Sequence, residues 1–251
     1  MTPYYQDDAV TIYHGEAIDV MRSLDPGSVD VLLTDPPYSS GGYFRSDRSA
    51  EPTAKYSRAE VAQYGTFAGD NRDQRSWTAW VAAWSSMALR VSRPGAHAFM
   101  FSDWRQLPSA TDAVQLGGWS WRGIIVWHKG DGGGIPQRGK FRQNAEYVVW
   151  GTFGSQGDDL VEGAPSSVIT VGPVPTGDRL HVTEKPVTLL RHLLRIVPGH
   201  PLAVLDPFMG SGASLVAAKD MGHRAIGIEA EEYNCEIAAT RCSQEVLGLA
   251  L

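Results

Sequence analysis

A chain of 251 residues with 43% hydrophobic and 20% charged residues has ordinary globular composition, which excludes a wholly disordered chain and allows a large buried core. Its 22 Lys and Arg against 28 Asp and Glu leave a formal net charge of −6, which excludes wrapping of nucleic acid by bulk positive charge and moves attention to local basic faces. Cys235 and Cys242, without a CxxC pair or clustered histidines, exclude a disulfide framework and a zinc site, and no apolar run nears ~18 residues, so a cytoplasmic protein without a membrane span is expected.

In chain order, residues 10–14 read as a strand, 17–24 as a helix with Val20, Met21 and Leu24 on one face, and 29–34 as a buried strand after the turn Pro26-Gly27-Ser28, a β-α-β start. Residues 39–75 open with Ser-Ser-Gly-Gly, mix six Lys or Arg with five Asp or Glu, and lack a period; a mobile loop is expected, with a short helix near 58–64. From Ser76, taken as an N-cap, apolar residues keep helical spacing until Pro94-Gly95. Strands at 96–101 and 121–127 enclose a helix at 107–116. Residues 128–142 then gather five glycines with Lys129, Arg138, Lys140 and Arg142, a basic Gly-rich loop on an acidic protein. After a strand at 147–150, residues 152–182 are rich in Gly, Pro, Ser and Asp and read as an irregular surface insert. All eight tryptophans lie between Trp77 and Trp150, and most of them are expected to fill the core. A helix over 185–197 with Pro186 near its start, a strand at 202–205, a helix over 213–221, a strand at 224–228 and a helix from 233 towards 247 complete the chain.

Two strand exits carry chemistry. The first strand-helix-strand unit leaves the sheet through Asp35-Pro36-Pro37-Tyr38. Proline fixes φ and holds the residue before it extended, so this turn has a set shape, presents a carboxylate and an aromatic ring, and leaves the Pro36 carbonyl free to accept a bond. A rigid turn with a solvated Asp is the plainer alternative. The second exit, Asp206-Pro207-Phe208-Met209-Gly210-Ser211-Gly212, lets backbone turn tightly beneath a ligand, and Glu229 at the end of the next strand is placed to accept ribose hydroxyls. Leu215 stands where a dinucleotide fingerprint has its third glycine, and Asp206 repels phosphate, so the loop suits a cationic ligand such as S-adenosylmethionine better than a pyrophosphate.

Together these stretches resemble the amino-group DNA methyltransferases, whose signature pairs an (Asp/Asn/Ser)-Pro-Pro-(Tyr/Phe/Trp) tetrapeptide with a Phe-x-Gly-x-Gly loop. Tetrapeptide before loop is the β-type, circularly permuted order, and Gly15-Glu16, Asn144-Ala145-Glu146-Tyr147 and Thr183-Glu184-Lys185-Pro186 match weaker blocks. The resemblance implies one domain over 1–251 with a Rossmann-like α/β fold: a mostly parallel central sheet with helices on both faces. It implies transfer of the S-adenosylmethionine methyl group to the exocyclic N6 of adenine in DNA, the base being flipped from the duplex. Asp35 and the Pro36 carbonyl would accept the amino hydrogens in the catalytic turn Asp35, Pro36, Pro37 and Tyr38, with Tyr38 stacked on the base. Phe208, Gly210, Ser211, Gly212, Asp206 and Glu229 would hold the cofactor beside Asp35, and Phe208 would cover its sulfonium.

Glu16 would accept from the cofactor adenine, or simply carry a charge favoured at a helix N-terminus. Lys185 would touch the cofactor carboxylate, or sit solvated in a first helical turn. For DNA, Lys129, Arg138, Lys140 and Arg142 are candidates for phosphate contact, and Arg45, Arg48, Lys55 and Arg58 for closure over the flipped base, against solvated surface charge for each. Residues 152–182 stand where the family keeps target recognition. The resemblance also implies a bacterial, phage or prophage setting, and allows a homodimer and a cognate restriction endonuclease. Transfer to cytosine N4 is the alternative inside the family. A non-catalytic, S-adenosylmethionine-sensing DNA-binding module is the alternative of another class.

Overall fold

The computed structural model describes residues 1–38, 72–132, 134, 138–155, 163–175, 177 and 184–244. Their elements are β1 (Tyr5–Gln6), β2 (Val10–His14), α1 (Ala17–Ser23), β3 (Val29–Thr34), α2 (Gln74–Val91), β4 (Ser92–Ser102), α3 (Leu107–Leu116), β5 (Ser120–His128), β6 (Ala145–Thr152), β7 (Val168–Thr170), α4 (Val187–Leu194), β8 (Ala203–Asp206), α5 (Ala213–Asp220), β9 (Arg224–Glu229) and α6 (Glu232–Ser243). The strands form one sheet in the order β1-β2-β9-β8-β3-β4-β6-β5-β7. Pairing is parallel from β2 through β9, β8 and β3 to β4 and between β5 and β7, and antiparallel where β1 meets β2 and where β6 meets β4 and β5.

Alternation along the central strands builds two cores. Val31, Leu33, Phe99, Phe101 and Val204 point to the face covered by α4, α5 and α6, and Leu32, Ala98, Met100 and Leu205 to the face covered by α1, α2 and α3. Successive strand side chains take opposite faces, so β3, covered on both, reads as a nearly continuous apolar run. This is the Rossmann-like, mostly parallel sheet with helices on both faces.

The connection from β3 through α2 runs to β4 on one side, and that from β8 through α5 to β9 on the other, so the strand order reverses between β3 and β8. Ligands of open α/β sheets bind outside the carboxyl ends of strands at such a reversal. The register Val31↔Val204 and Leu32↔Leu205 sets the two strand exits side by side. The separation of 171 positions between Asp35 and Asp206 is thereby closed by tertiary structure.

Several local expectations are corrected. Asp73, not Ser76, caps α2: its carboxylate accepts from the Arg75 and Ser76 amides at 2.9 and 3.1 Å, and the Ser76 hydroxyl itself donates to Asp73 at 2.8 Å. A carboxylate is the better acceptor for first-turn amides. The helix ends at Val91 rather than at Pro94-Gly95, because Ser92 is already extended and β4 starts there. Helix α4 begins at Val187 with Pro186 as its N-cap, so Lys185 lies in the extended segment before it and not in a helical turn. Within the insert read as irregular, β7 adds a short parallel strand beside β5, with Ile169 buried; three residues are too few for a visible period. Most of the expected loop 39–75, with Arg45, Arg48, Lys55 and Arg58, and much of 152–182 lie outside the described residues.

Candidate active site

The turn Asp35-Pro36-Pro37-Tyr38 is shaped by residues far away in sequence. As β3 ends, the Trp77 indole donates to the Pro37 carbonyl at 2.7 Å and the Gln106 amide to the Tyr38 carbonyl at 2.9 Å, so α2 and the start of α3 pin the turn between them. Trp77 is fully buried and fills the core as expected, and it also holds the turn, a role no pattern around it announced. No bond among the described residues uses the Pro36 carbonyl.

Asp35 is bound on one side only. The Lys185 ammonium donates to its Oδ2, while its Oδ1 is buried and has no hydrogen-bond partner among the described residues. A buried carboxylate oxygen without a donor costs free energy, and in native proteins such atoms are few. Burial raises the Asp35 pKa against the pull of Lys185. Lys185 itself is 5% exposed, so the solvated alternative is overturned. Its ammonium also lies 3.4 Å from Glu146, 3.3 Å from the Tyr38 hydroxyl and 5.2 Å from the Phe101 ring centre. Burial opposes its charge, but Asp35 and Glu146 outweigh that and raise its pKa. Tyr38 is raised well above its ordinary value by burial, then by Asp35 and Glu146, so it stays a neutral phenol.

The second exit is braced through its own backbone. Asp206 Oδ1 accepts from the Thr34 hydroxyl at 2.8 Å and the Phe208 amide at 3.1 Å, and Oδ2 accepts from the Ser214 hydroxyl. Burial nonetheless raises its pKa to about 6. The bond from Thr34, next to Asp35, ties the two exits together. Gly210 has φ +49° and open space where a side chain would begin, whereas a Cβ on Gly212, at φ +79°, would lie 2.9 Å from the Ala238 Cβ of α6. One glycine leaves room above the loop; the other lets a helix approach beneath it. Gly227 in β9 plays a similar part, since a Cβ there would meet Met209 Sδ at 2.3 Å.

A cleft with about 470 Å³ of space, part of it open to solvent, joins the exits. Asp35, Lys185, Asp206, Phe208, Gly210 and Ser211 line it. Phe208 packs 5.2 and 5.1 Å from the Trp80 and Trp84 rings. Glu229 is not in the cleft wall: its carboxylate accepts from the Gly210 and Glu231 amides, both at 3.0 Å, and so holds the glycine loop from behind. Lone pairs remain on each oxygen for a hydroxyl. Glu16 is exposed at the N-cap of α1, makes no capping bond, and lies on the same sheet edge, where the Gly15 amide donates to the Glu229 carbonyl at 2.9 Å.

The basic loop divides. Lys129, expected to face phosphate, instead turns its ammonium inward to Glu146 and over the Trp127 ring, because the buried carboxylate needs a counter-charge. Arg142 donates to the Asp131 carbonyl, and to that of Gly134 at 3.1 Å, bracing the loop. Arg138 and Lys140 are exposed, and Phe141 beside them is 94% exposed. Glu146 is the site residue that sequence reasoning missed; its signal was the Asn144-Ala145-Glu146-Tyr147 block.

The sequence matches the family model for DNA methylases, the N6/N4 methyltransferases, over residues 29–162 and 165–240. The chain belongs to this family. Among curated relatives, this methylase is 31% identical over 229 residues to YubD of Escherichia coli (strain K12), which carries a methylase designation, covering 88% of this chain and 85% of that one. Its fold is shared with the M1.HpyAVI–SAM complex (TM-score 0.67, 21% identity, 94% of this chain and 100% of that one). It is shared likewise with the PvuII DNA methyltransferase, described as cytosine-N4-specific (TM-score 0.70, 14% identity, 98% and 90%).

Proposed function

We propose that this methylase transfers the methyl group of S-adenosylmethionine to the exocyclic N6 of adenine in DNA, on a base turned out of the duplex. The observation that carries the reading is the Asp35 Oδ1 next to the Pro36 carbonyl, neither with a hydrogen-bond partner among the described residues, at one end of a cleft whose other end is the glycine loop. Two acceptors without donors match the two hydrogens of an amino group. Asp in the first position of the tetrapeptide favours adenine, by resemblance to the family.

The residues fit the cofactor: the space over Gly210 admits it and the Asp206 carboxylate suits its positive charge. Bound there, it supplies an electrophilic methyl group. Asp35 and Pro36 orient the amino lone pair towards it, Tyr38 offers a neutral ring face for the base, and positioning supplies much of the rate. Arg138 and Lys140, with the exposed Phe141, would meet the DNA backbone, and the Glu16 and Glu229 carboxylates the cofactor nucleoside.

Incubation with methyl-labelled S-adenosylmethionine and mixed-sequence DNA, followed by digestion to nucleosides, tests this. Label is expected in N6-methyladenine; label in N4-methylcytosine corrects the base, and cofactor and DNA binding without label in nucleic acid makes the protein a sensing module. Asp35→Ala should lower transfer by roughly 10²–10³-fold, the scale of losing one transition-state contact, with cofactor affinity within a few-fold of wild type.

A further inference from the structure

Behind Asp35 runs a ladder of alternating charge that the transfer reaction has so far not used. Lys129, just after β5, pairs with Glu146 of β6; Glu146 lies 3.4 Å from Lys185, before α4; and Lys185 pairs with Asp35 after β3. Side-chain exposures of 20%, 17%, 5% and 20% place all four largely out of water. Four segments of chain thus converge to hold one ammonium against one carboxylate oxygen. Leaving either end of such a buried pair alone is costly, so the ladder stands or falls as a unit.

Building on the methyl-transfer reading, we infer that Glu146 is a positioning residue: it holds Lys185 on Asp35 Oδ2, so that Oδ1 alone is presented to the substrate amino group. Lys185 is accordingly a second positioning residue, acting through Asp35, and not a ligand for the cofactor carboxylate. A carboxylate free on both sides rotates about its last torsion and presents either oxygen, whereas one tied at Oδ2 presents Oδ1 in one direction. In the reaction the amino nitrogen forms a bond to the methyl carbon as the carbon–sulfur bond breaks, its electron pair passing to sulfur. The methylated nitrogen then releases one proton through Oδ1 to water. Charge bookkeeping agrees, since two carboxylates and two ammonium groups sum to zero beside a cationic methyl donor.

The groups that face Asp35 are Lys185, Glu146 and Tyr38, with Asp103 acting on Tyr38 from the end of β4 and Asp206 across the cleft. Glu146 raises the pKa of Asp35, of Tyr38 and of Lys185 alike. Removing its charge therefore moves both limbs of a pH–rate profile to lower pH, a response that a loosened fold does not produce.

Glu146→Gln is the test, with Lys185→Gln as a second variant if the first does not fold by thermal melting. For Glu146→Gln, single-turnover transfer should fall roughly 10–100-fold while the calorimetric dissociation constant for S-adenosylmethionine stays within about twofold, with both pH limbs displaced downward. Lys185→Gln should likewise lose rate and keep cofactor affinity. A tenfold or greater loss of cofactor affinity in Lys185→Gln, or an unchanged rate and pH profile in Glu146→Gln, overturns the inference. Absence of transfer by the wild-type chain overturns the methyl-transfer reading instead, and is recognised because that control is run first.

Discussion

The two strand exits that meet in the cleft are built in opposite ways. Apart from the Thr34 bond to Asp206, the glycine loop after β8 is held by neighbours in sequence: Phe208 and Ser214 bind Asp206, Glu229 binds Gly210, and α6 packs under Gly212. Its elements lie between residues 203 and 243, one strand-helix-strand unit and the helix after it. The turn after β3 is held by Trp77, Gln106 and Lys185, with Glu146 behind, from four separate parts of the chain. The half proposed to hold the cofactor is thus mostly local and able to form early, whereas the half proposed to face the base exists only when the whole sheet is assembled. A hub of long-range contacts suits a group that must be aimed; a backbone cradle suits one that must be held.

Breaking the local half should have the largest effect. Gly212→Val adds a branched side chain at positive φ, where it costs of order 1–3 kcal/mol, and drives it into Ala238 of α6, costing a similar amount. Calorimetry should show a melting temperature lower by roughly 10 °C for a loss of about 3 kcal/mol, with cofactor binding lost in parallel. An unshifted melt would mean that α6 yields freely and the loop is not braced from below.

Loosening the distant half should separate the two functions. Trp77→Phe keeps most of the buried ring but removes the donor to Pro37, a change of about 1 kcal/mol in stability. Transfer is expected to fall on the order of tenfold through misplacement of the turn, while the cofactor dissociation constant, read by calorimetry, stays unchanged. Equal loss of both would erase the distinction between the halves.

The smallest effect sharpens the comparison through pH. The pKa of Asp206 is raised to about 6, so its carboxylate is lost as pH falls through that value. A cationic cofactor favours the ionised form, and its affinity should therefore weaken roughly tenfold between pH 7.5 and 5, measured by calorimetry, and weaken less in Asp206→Asn. The group's own contribution to the stability of the ligand-free fold has the opposite sign, growing as pH falls from 6 towards 4.

Much of this arrangement was legible beforehand. The alternation of strands and helices placed both exits at strand ends, and two prolines after a carboxylate announced a turn of set shape. The inward turn of Lys129 was missed, and a solvated alternative entertained for Lys185, for one reason: a lysine in a basic or polar stretch looks solvated, and only the position of Glu146 reveals that both ammonium groups are drawn inward. Trp77 and Gln106 carried no signal at all, because an indole or an amide that binds a distant carbonyl has the same local pattern as one that merely packs. Gly227 was silent for a similar reason, since the Met209 side chain that needs its space comes from another element.

By itself, then, the sequence determined the alternating elements, the chemistry at each strand exit and the family, because periodicity, proline and glycine act over a few bonds. Tertiary structure decided which exits face each other, which oxygen of Asp35 is left to meet a substrate and which charges are buried together. Those are distances between groups from 39 to 172 positions apart, set by sheet order and burial.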